Sequence, residues 1–433
     1  MFDKIKINLK KLRISSIIIL PLCLLMLNSY TIIMKYSILY RYIFIFGILA
    51  FVVFVSRQLN FKTIEQKIWF SFLVYVTVSA FVFGNKESMT MLFSLWCFSL
   101  LLIVDLDTDF YKRLIKAFNV FIFVFVLSMY LNALIPNLMA GPLNFLVFDP
   151  AKETIIRESS SHVYSGLFAE KLAAAYGSCI GFVFAYSQYL RRFKARYLIL
   201  SLFYVMAIFL SGKRIAAVIP IVVMIVSVII SLKDRVLFRR ARKYLLGVCV
   251  LLVIGIAVVP QIREIFGRVF AVIFSDTTED LTSNRNSLLW PIAQLMFIAN
   301  PIFGHGLNTY NSFVRDMFSS SDSVLSEWGT NGHNIYLQLT AETGIVGAVI
   351  IFSLFLCLLI RSFKLYKKLK DPDDKQLCLI SIGLQCVFLL IGITENAFYV
   401  TGELLTYLTA FGIFIALKRK YSVKNTRLES HNV

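Results

Sequence analysis

The sequence predicts an all-α polytopic membrane protein, with about twelve transmembrane helices in a single integral membrane domain covering residues 1–433. Hydrophobic residues make up 58% of the chain and the mean hydropathy is +0.75, well above the composition of soluble domains. Apolar stretches of about 16–25 residues recur along the whole length, as bilayer-crossing helices require. Basic residues are concentrated in alternate connecting segments, which is typical of cytoplasmic loops.

The apolar stretches give the positions of the predicted spans. They are 14–34, 38–55, 68–83, 89–104, 114–134, 166–190, 197–211, 215–232, 244–260, 334–360, 376–393 and 400–417. An even number of spans predicts that both termini lie on the same side of the membrane.

The distribution of charge predicts which side that is. The segments 1–13, 56–67, 105–116, 191–196, 233–243, 361–375 and the tail from 418 hold 32 of the 44 Lys and Arg residues, so we expect them to be cytoplasmic. The net charge of +19 then reflects topology and contact with anionic membrane lipids, and no nucleic-acid-binding motif is present. Two segments face outward on this topology, 135–165 and the large loop 261–333 between the ninth and tenth spans.

The seven cysteines predict neither a disulfide framework nor a metal site. All of them fall in apolar stretches and no two form a CxxC pair, so we interpret them as free, buried residues.

The large loop is predicted to contain two helices. Residues 262–273 carry apolar side chains at helical spacing, which indicates an amphipathic helix. After a polar turn, Ser283 or Asn284 is a suitable N-cap for a second helix, and Pro291 is a candidate kink. The apolar face of this second helix would carry Leu288, Leu289, Ile292, Met296 and Ala299.

Arg285 falls in the first turn of that second helix, where free N–H groups suit an anion and a cation opposes the dipole. A bound anionic partner would explain this placement, and a solvated loop arginine is the alternative. Arg214 begins a predicted span in SGKRIAAVIP, where it is either an interfacial anchor or a site residue. We interpret the neighbouring Lys213 as a snorkelling anchor.

Two of the four histidines lie in the large loop. His305, between Gly304 and Gly306, is interpreted as a turn residue. His333 lies at the outer mouth of a predicted span, where an imidazole can act as a general base; an interfacial histidine without a chemical role is the alternative. Downstream, Gly344 and Gly347 are predicted to support close helix packing.

These motifs together resemble the signature of the O-antigen polymerase and O-antigen ligase superfamily. The segments that carry the resemblance are SNRNSLLW, NPIFGHGLNTY and GHNIYLQLTAETGIVG. They supply an Arg opening a loop helix (Arg285), a P-x-x-G-x-G turn and an H-N-x-x-L-x-x-x-x-x-x-G pattern that begins at His333. Arg214 matches the arginine of the family's Ser-x-x-Arg element. Arg157 is similar to the arginine of its R…SGLF element, although Ala169-Glu170-Lys171 replaces the Asn-Pro pair common there.

The resemblance implies a glycosyltransferase of the bacterial cytoplasmic (inner) membrane whose active loop faces outward. Its donor would be an oligosaccharide carried on undecaprenyl diphosphate, and it would need no metal or cofactor. Arg214 and Arg285 would hold the diphosphate, and His333 would be the catalytic base on the acceptor hydroxyl. Arg157, His305 and Glu170 are further candidates for substrate binding. The implied partners are membrane lipids and a chain-length regulator and flippase of the same pathway.

Three functions stay open at this point. A polymerase extends lipid-linked repeat units into O-antigen or capsular polysaccharide, whereas a ligase transfers the glycan to lipid A core. The departure from the ligase-like GLF-Asn-Pro form favours the polymerase. A flippase or transporter of lipid-linked sugars would also suit twelve spans, but the sequence has no internal repeat of the kind that transporters show.

Overall fold

The computed structural model describes residues 18–27, 46–47, 49–50, 61–135, 137–147, 149–232, 234–258, 263, 288–319 and 330–430. Over these ranges the chain is all-α, without a β-strand, and the predicted fold class is confirmed to that extent.

The described helices are α1 (Ile19–Leu27), α2 (Ile64–Phe83), α3 (Lys86–Ser99), α4 (Thr108–Leu134), α5 (Asp149–Ser160), α6 (Lys171–Arg192), α7 (Ala195–Leu210), α8 (Arg214–Ile230), α9 (Arg235–Val258), α10 (Trp290–Ala299), α11 (Tyr310–Met317), α12 (Ile335–Lys368), α13 (Pro372–Ile391) and α14 (Thr401–Ser430).

Five described helices are long and apolar enough to cross a membrane: α2, α4, α12, α13 and the 401–422 part of α14. The helices α7, α8 and α10 are apolar but shorter. Most of the predicted span 38–55 lies outside the described residues, so the total of twelve spans stays a prediction.

Several helices begin before the apolar stretch that predicted them, because polar caps fix their first turns. The hydroxyl of Thr63 accepts the Gln66 N–H at 3.3 Å, and the side-chain oxygen of Gln66 accepts the Thr63 N–H. This reciprocal cap starts α2 at Ile64. Asp107 accepts the Phe110 N–H at 2.7 Å and starts α4. Capping of this kind stabilises a helix end by about 1 kcal/mol.

The centre of the bundle is built from α6, α13 and α14, whose side chains are mostly buried. Helix α13 packs against both of the others, and α6 also packs against α7. This core surrounds the point where α13 ends and α14 begins, which is where the candidate site lies.

Ion pairs bring several of the predicted cytoplasmic loops together at one end of the bundle. Buried Glu65 binds both Arg361 and Lys418, each at 2.9 Å. Asp234 pairs with Lys375 at 3.1 Å. Further pairs of the same kind join Arg191 to Asp373 and Arg419 to Asp105. The basic loops therefore share one end, as the charge pattern predicts.

The segment 135–165 contains a helix, α5, that sequence reasoning missed. Its Ala151 and Ile155 pack with Met139, Val147 and Ala169 in a small apolar cluster. The helix is short and mostly polar, so it gave no signal among the longer apolar stretches.

The large loop is described only from residue 288 to 319 and from 330 onward. The amphipathic helix predicted at 262–273 and Arg285 lie outside the described residues. In α10, Ile292 and Met296 are buried as predicted, whereas Ala299 is exposed. The kink proposed at Pro291 stays a prediction: this proline is the second residue of α10 and directly follows a π-helical stretch at 288–289.

Candidate active site

The P-x-x-G-x-G turn is joined to a break in α12. At Gly344 the backbone has φ 62° and ψ −173°, which interrupts the helix. Two N–H groups just beyond the break donate to the turn: Ile345 to the Pro301 carbonyl at 2.8 Å and Val346 to the Ile302 carbonyl at 3.3 Å. The turn therefore supplies acceptors that the broken helix lacks.

Both glycines at this crossing are required by geometry. Gly304 has φ +71°, and a Cβ there would overlap the Glu342 carbonyl; a Cβ at Gly344 would overlap the Ile302 carbonyl. Side chains at either position would push the two backbones apart. The sequence-based role of Gly344 in helix packing is thus wrong, since it forms the break, while Gly347 does pack closely against Tyr75 of α2.

Glu342, just before the break, holds the turn and α11 in place. Its fully buried carboxylate accepts the backbone N–H of Asn308 at 2.5 Å and of Tyr310 at 3.1 Å. It also accepts the Gln338 amide at 2.9 Å and the Tyr399 hydroxyl at 2.6 Å. Four donors satisfy the buried carboxylate, so α11, α12 and the α13–α14 linker meet at one residue.

His333 directly precedes Asn334, the N-cap residue of α12, and has a strained backbone conformation. Its φ is +48°, which residues other than glycine adopt at a cost of about 1–3 kcal/mol. The following residue fixes this geometry, because the Asn334 side chain caps α12 by accepting the N–H groups of Tyr336 and Leu337 at 3.0 and 3.1 Å. The Ile335 N–H also donates to the Gly392 carbonyl at 2.9 Å.

The His333 side chain contacts a buried ion pair. Its Nδ1 is 3.2 Å from Oε2 of Glu395, and the other oxygen of Glu395 is 2.5 Å from Nζ of Lys213. The Glu395 side chain is 4% exposed, Lys213 is 17% exposed and His333 is 38% exposed. The row thus runs from a half-buried cation through a buried anion to an imidazole that is open to solvent.

This order fixes the chemistry available at the imidazole. A carboxylate only accepts hydrogen bonds, so Nδ1 carries the proton in the bond to Glu395. Neutral His333 then presents the Nε2 lone pair, and Glu395 can stabilise the imidazolium that forms when Nε2 takes up a proton.

The interpretation of Lys213 as a membrane anchor is wrong, because its ammonium pairs with Glu395 inside the protein. Arg214, the next residue, begins α8 and is half-buried. The short turn before α8 therefore contributes directly to the surroundings of His333.

A cavity of about 220 Å³ lies beside His333 and Glu395. Glu170, the N-cap residue of α6, is in its wall, so this candidate from the sequence does lie at the site. The wall is completed by Met26, Leu27, Leu172, Ala173, Tyr176, Asn331, Asn396, Val400 and Glu403. No group of three or more His, Cys, Asp and Glu side chains in the described ranges could hold a metal ion.

The remaining candidates from the sequence lie apart from this cavity's wall. Arg157 is exposed on α5. His305 places its Nε2 2.8 Å from the Met296 carbonyl and its ring against Phe313, so its contacts are those of a turn residue. Arg285 is outside the described residues.

Glu158, the residue after Arg157, has a buried carboxylate that supports the start of α6. It accepts the Lys171 N–H at 3.4 Å, and burial raises its pKa. The SGLF element lies between them, and Gly166 has φ +55° with its α-carbon against Ser128 and Met129 of α4, where no side chain fits.

Residues 199–352 match the protein-family model described as O-Antigen ligase. The chain resembles that family. The O-antigen ligase match contains Lys213, Arg214, the turn, His333 and the Gly344 break, and it confirms the resemblance found in the motifs. Together with the five long apolar helices, it indicates a bacterial inner-membrane enzyme of the O-antigen ligase and polymerase type. Among curated proteins, no relative matches.

Two contacts that complete the site were not predicted from the sequence: that of Glu395 with His333 and that of Lys213 with Glu395. Glu395 lies outside the O-antigen ligase match, between two apolar stretches. Its position in ITENAFYVTG, between two predicted spans, could have indicated a role, because a carboxylate placed near membrane depth needs a partner.

Proposed function

We propose that this protein is a membrane glycosyltransferase that polymerises polyprenyl-diphosphate-linked oligosaccharide repeat units into O-antigen or capsular polysaccharide. The reaction would take place at the outer face of the cytoplasmic membrane. The observation that carries the proposal is the Lys213–Glu395–His333 row, which presents an imidazole base beside a cavity. Lys213 and His333 lie within the region that resembles the O-antigen ligase family.

In the proposed step, Nε2 of His333 removes the proton of an acceptor sugar hydroxyl. The hydroxyl oxygen bonds to the anomeric carbon of the donor. The bond from that carbon to the phosphate oxygen breaks, and its electron pair leaves with the lipid diphosphate. The imidazolium that results is stabilised by Glu395, whose own charge is held in place by Lys213.

Two arginines are proposed to hold the leaving group. Guanidinium groups bind phosphate oxygens bidentately, and positive charge there offsets the charge that develops as the glycosidic bond breaks. Arg214 is suited to this role because it follows Lys213 directly at the start of α8. Arg285 is proposed on the resemblance to the family motif.

A ligase is the second candidate, because the matching family model is described as O-Antigen ligase. It would use the same lipid-linked donor but transfer the glycan to lipid A core. The two functions differ only in the acceptor, so identifying the acceptor that the protein uses distinguishes a polymerase from a ligase.

The test supplies purified protein with an undecaprenyl-diphosphate repeat unit alone. A polymerase uses this molecule as donor and acceptor and makes a ladder of longer lipid-linked sugars, seen by gel or mass spectrometry. A ligase makes no product until lipid A core is added, and a flippase makes no new glycosidic bond in either condition.

In the same assay His333→Ala should lower the rate by about 10²–10⁴, as loss of a general base typically does, with donor binding retained. A wild-type ladder that His333→Ala also makes at a similar rate would contradict the proposed mechanism.

A further inference from the structure

The cavity beside His333 contains buried oxygens that lack partners. Glu403 is 2% exposed and Asn396 is 6% exposed, and both line the cavity. In the part of the chain that the structure describes, neither Oε2 of Glu403 nor Oδ1 of Asn396 has a hydrogen-bond partner. Leaving such atoms unpaired costs about 1–3 kcal/mol each, so a ligand that supplies donors would recover this free energy.

The chemistry of the wall specifies what kind of ligand fits. Three carboxylates face the cavity, from Glu170, Glu395 and Glu403, and no Lys or Arg is in its described wall. An ionised phosphate brings acceptor oxygens and no donors, whereas the O–H groups of a neutral sugar are donors that suit carboxylate and amide oxygens. The side chains of Leu172 and Val400 add an apolar surface, which suits the C–H faces of a sugar ring.

The size of the cavity limits the ligand further. Its volume of about 220 Å³ is below the about 300–1,000 Å³ of clefts that hold drug-sized ligands. One monosaccharide unit therefore fits better than an oligosaccharide.

We infer that this cavity is the acceptor subsite of the enzyme: it binds the terminal, neutral monosaccharide of the acceptor, whose hydroxyls donate to Glu403 and Asn396. The inference rests on the proposed glycosyl transfer and adds the location of the acceptor. A sugar held there has a hydroxyl next to His333. Arg214, which is proposed for the diphosphate, is not among the residues that line the cavity, so donor phosphate and acceptor sugar would occupy separate places.

The experiment separates the acceptor from the donor. Repeat-unit oligosaccharide is released from its lipid by mild acid and titrated as a soluble acceptor at a fixed concentration of lipid-linked donor. Glu403→Gln replaces the carboxylate with an amide of the same shape, and Asn396→Ala removes the other acceptor oxygen. We expect each to raise the acceptor KM about tenfold, which corresponds to about 1.4 kcal/mol, with donor KM unchanged.

A steric variant and a matched control complete the design. Ala173→Leu should fill the cavity and abolish use of the soluble acceptor while radiolabelled donor still binds. The control is Gln385→Met: Gln385 is also fully buried with an unpaired Oε1 but lies in α13 away from the cavity wall. It should leave the acceptor KM within about twofold of wild type.

The outcomes distinguish this inference from the proposed function. If wild-type protein transfers sugar but Glu403→Gln, Asn396→Ala and Ala173→Leu all leave the acceptor KM unchanged, the cavity is not the acceptor subsite and the function stands. A rise in donor KM in place of acceptor KM would also overturn it. If wild-type protein transfers no sugar to any acceptor, the proposed function itself fails.

Discussion

At the scale of single residues, Glu395 is the centre of the candidate site. It bonds to His333 through one oxygen and to Lys213 through the other, so it fixes the imidazole tautomer and joins two helix connections that are far apart in sequence. This buried carboxylate would be left with uncompensated charge if it lost Lys213.

Glu395→Gln tests this role. The amide can donate to Nδ1 and so move the imidazole proton to Nε2, which removes the base. We expect the rate of ladder formation to fall roughly 10²-fold or more, measured as initial rate at saturating substrate. The exposed Glu153→Gln on α5 is the matched control and should keep the wild-type rate. A Glu395→Gln enzyme of normal rate would remove Glu395 from the mechanism.

The proposed diphosphate arginines are tested by charge-conserving changes. If the planar fork matters, Arg214→Lys and Arg285→Lys should each lose most activity although the positive charge remains. The control Arg315→Lys changes an arginine of the same loop that pairs with Glu87 at 2.7 Å on a half-exposed face, where a salt bridge contributes about 0–1 kcal/mol. A near-normal amount of polysaccharide from both Lys variants would contradict the proposed diphosphate binding, provided that each protein is present in the membrane at the wild-type level.

At the scale of elements, the crossing of the turn and α12 explains why the motif contains its glycines. The backbones meet at Gly304 and Gly344, both with positive φ, and exchange hydrogen bonds there. The motif therefore encodes a structural joint that carries His333 on one side and α11 on the other.

Gly304→Ala should destabilise the protein by more than the about 1–2 kcal/mol of the left-handed backbone alone, because the new methyl also overlaps the Glu342 carbonyl. Thermal unfolding in detergent would report it as a lower Tm. Gly247→Ala is the control, since Gly247 lies within α9 with no atom within 4 Å of its would-be Cβ. It should be neutral or stabilising by about 0.5–1 kcal/mol. Equal Tm values for the two variants would show that the crossing is not tight.

The sequence predicted the helices well because apolar length is a local property. The sequence also identified His333, through its motif and its place at the mouth of a span. It could not pair His333 with Glu395, which is 62 positions away, since that contact depends on how α12 and the α13–α14 linker pack. For the same reason Lys213 is interpreted from the sequence as a snorkelling anchor: it lies at the end of an apolar stretch, and its partner is distant in sequence.

At the scale of the whole molecule, charge separates the two ends of the bundle. Basic loops meet through ion pairs such as Glu65–Lys418 and Asp234–Lys375 at one end. His333 and Glu395 lie at helix ends that alternate with these along the chain. The positive-inside rule then predicts that the site faces outward.

Cysteine labelling tests this sidedness. In a variant whose seven native cysteines are replaced, a cysteine at the exposed Ser319 should react with a membrane-impermeant maleimide in intact spheroplasts. One at the exposed Lys367 should react only after the cells are permeabilised. Labelling of position 367 but not 319 in intact cells would invert the topology and place the site inside the cell.

The break at Gly344 also has a consequence for how the protein is made. The N–H groups of Ile345 and Val346 find their acceptors on Pro301 and Ile302, in a segment synthesised earlier and expected to have crossed the membrane. In hydrocarbon an unpaired backbone group costs several kcal/mol, so α12 reaches its final shape only when that segment has docked. We therefore expect correct folding of the chain from α12 onward to depend on this earlier loop. A C-terminal fragment made alone is expected to lack the break in α12 or to be degraded. Supplying the loop as a separate chain should restore the fragment.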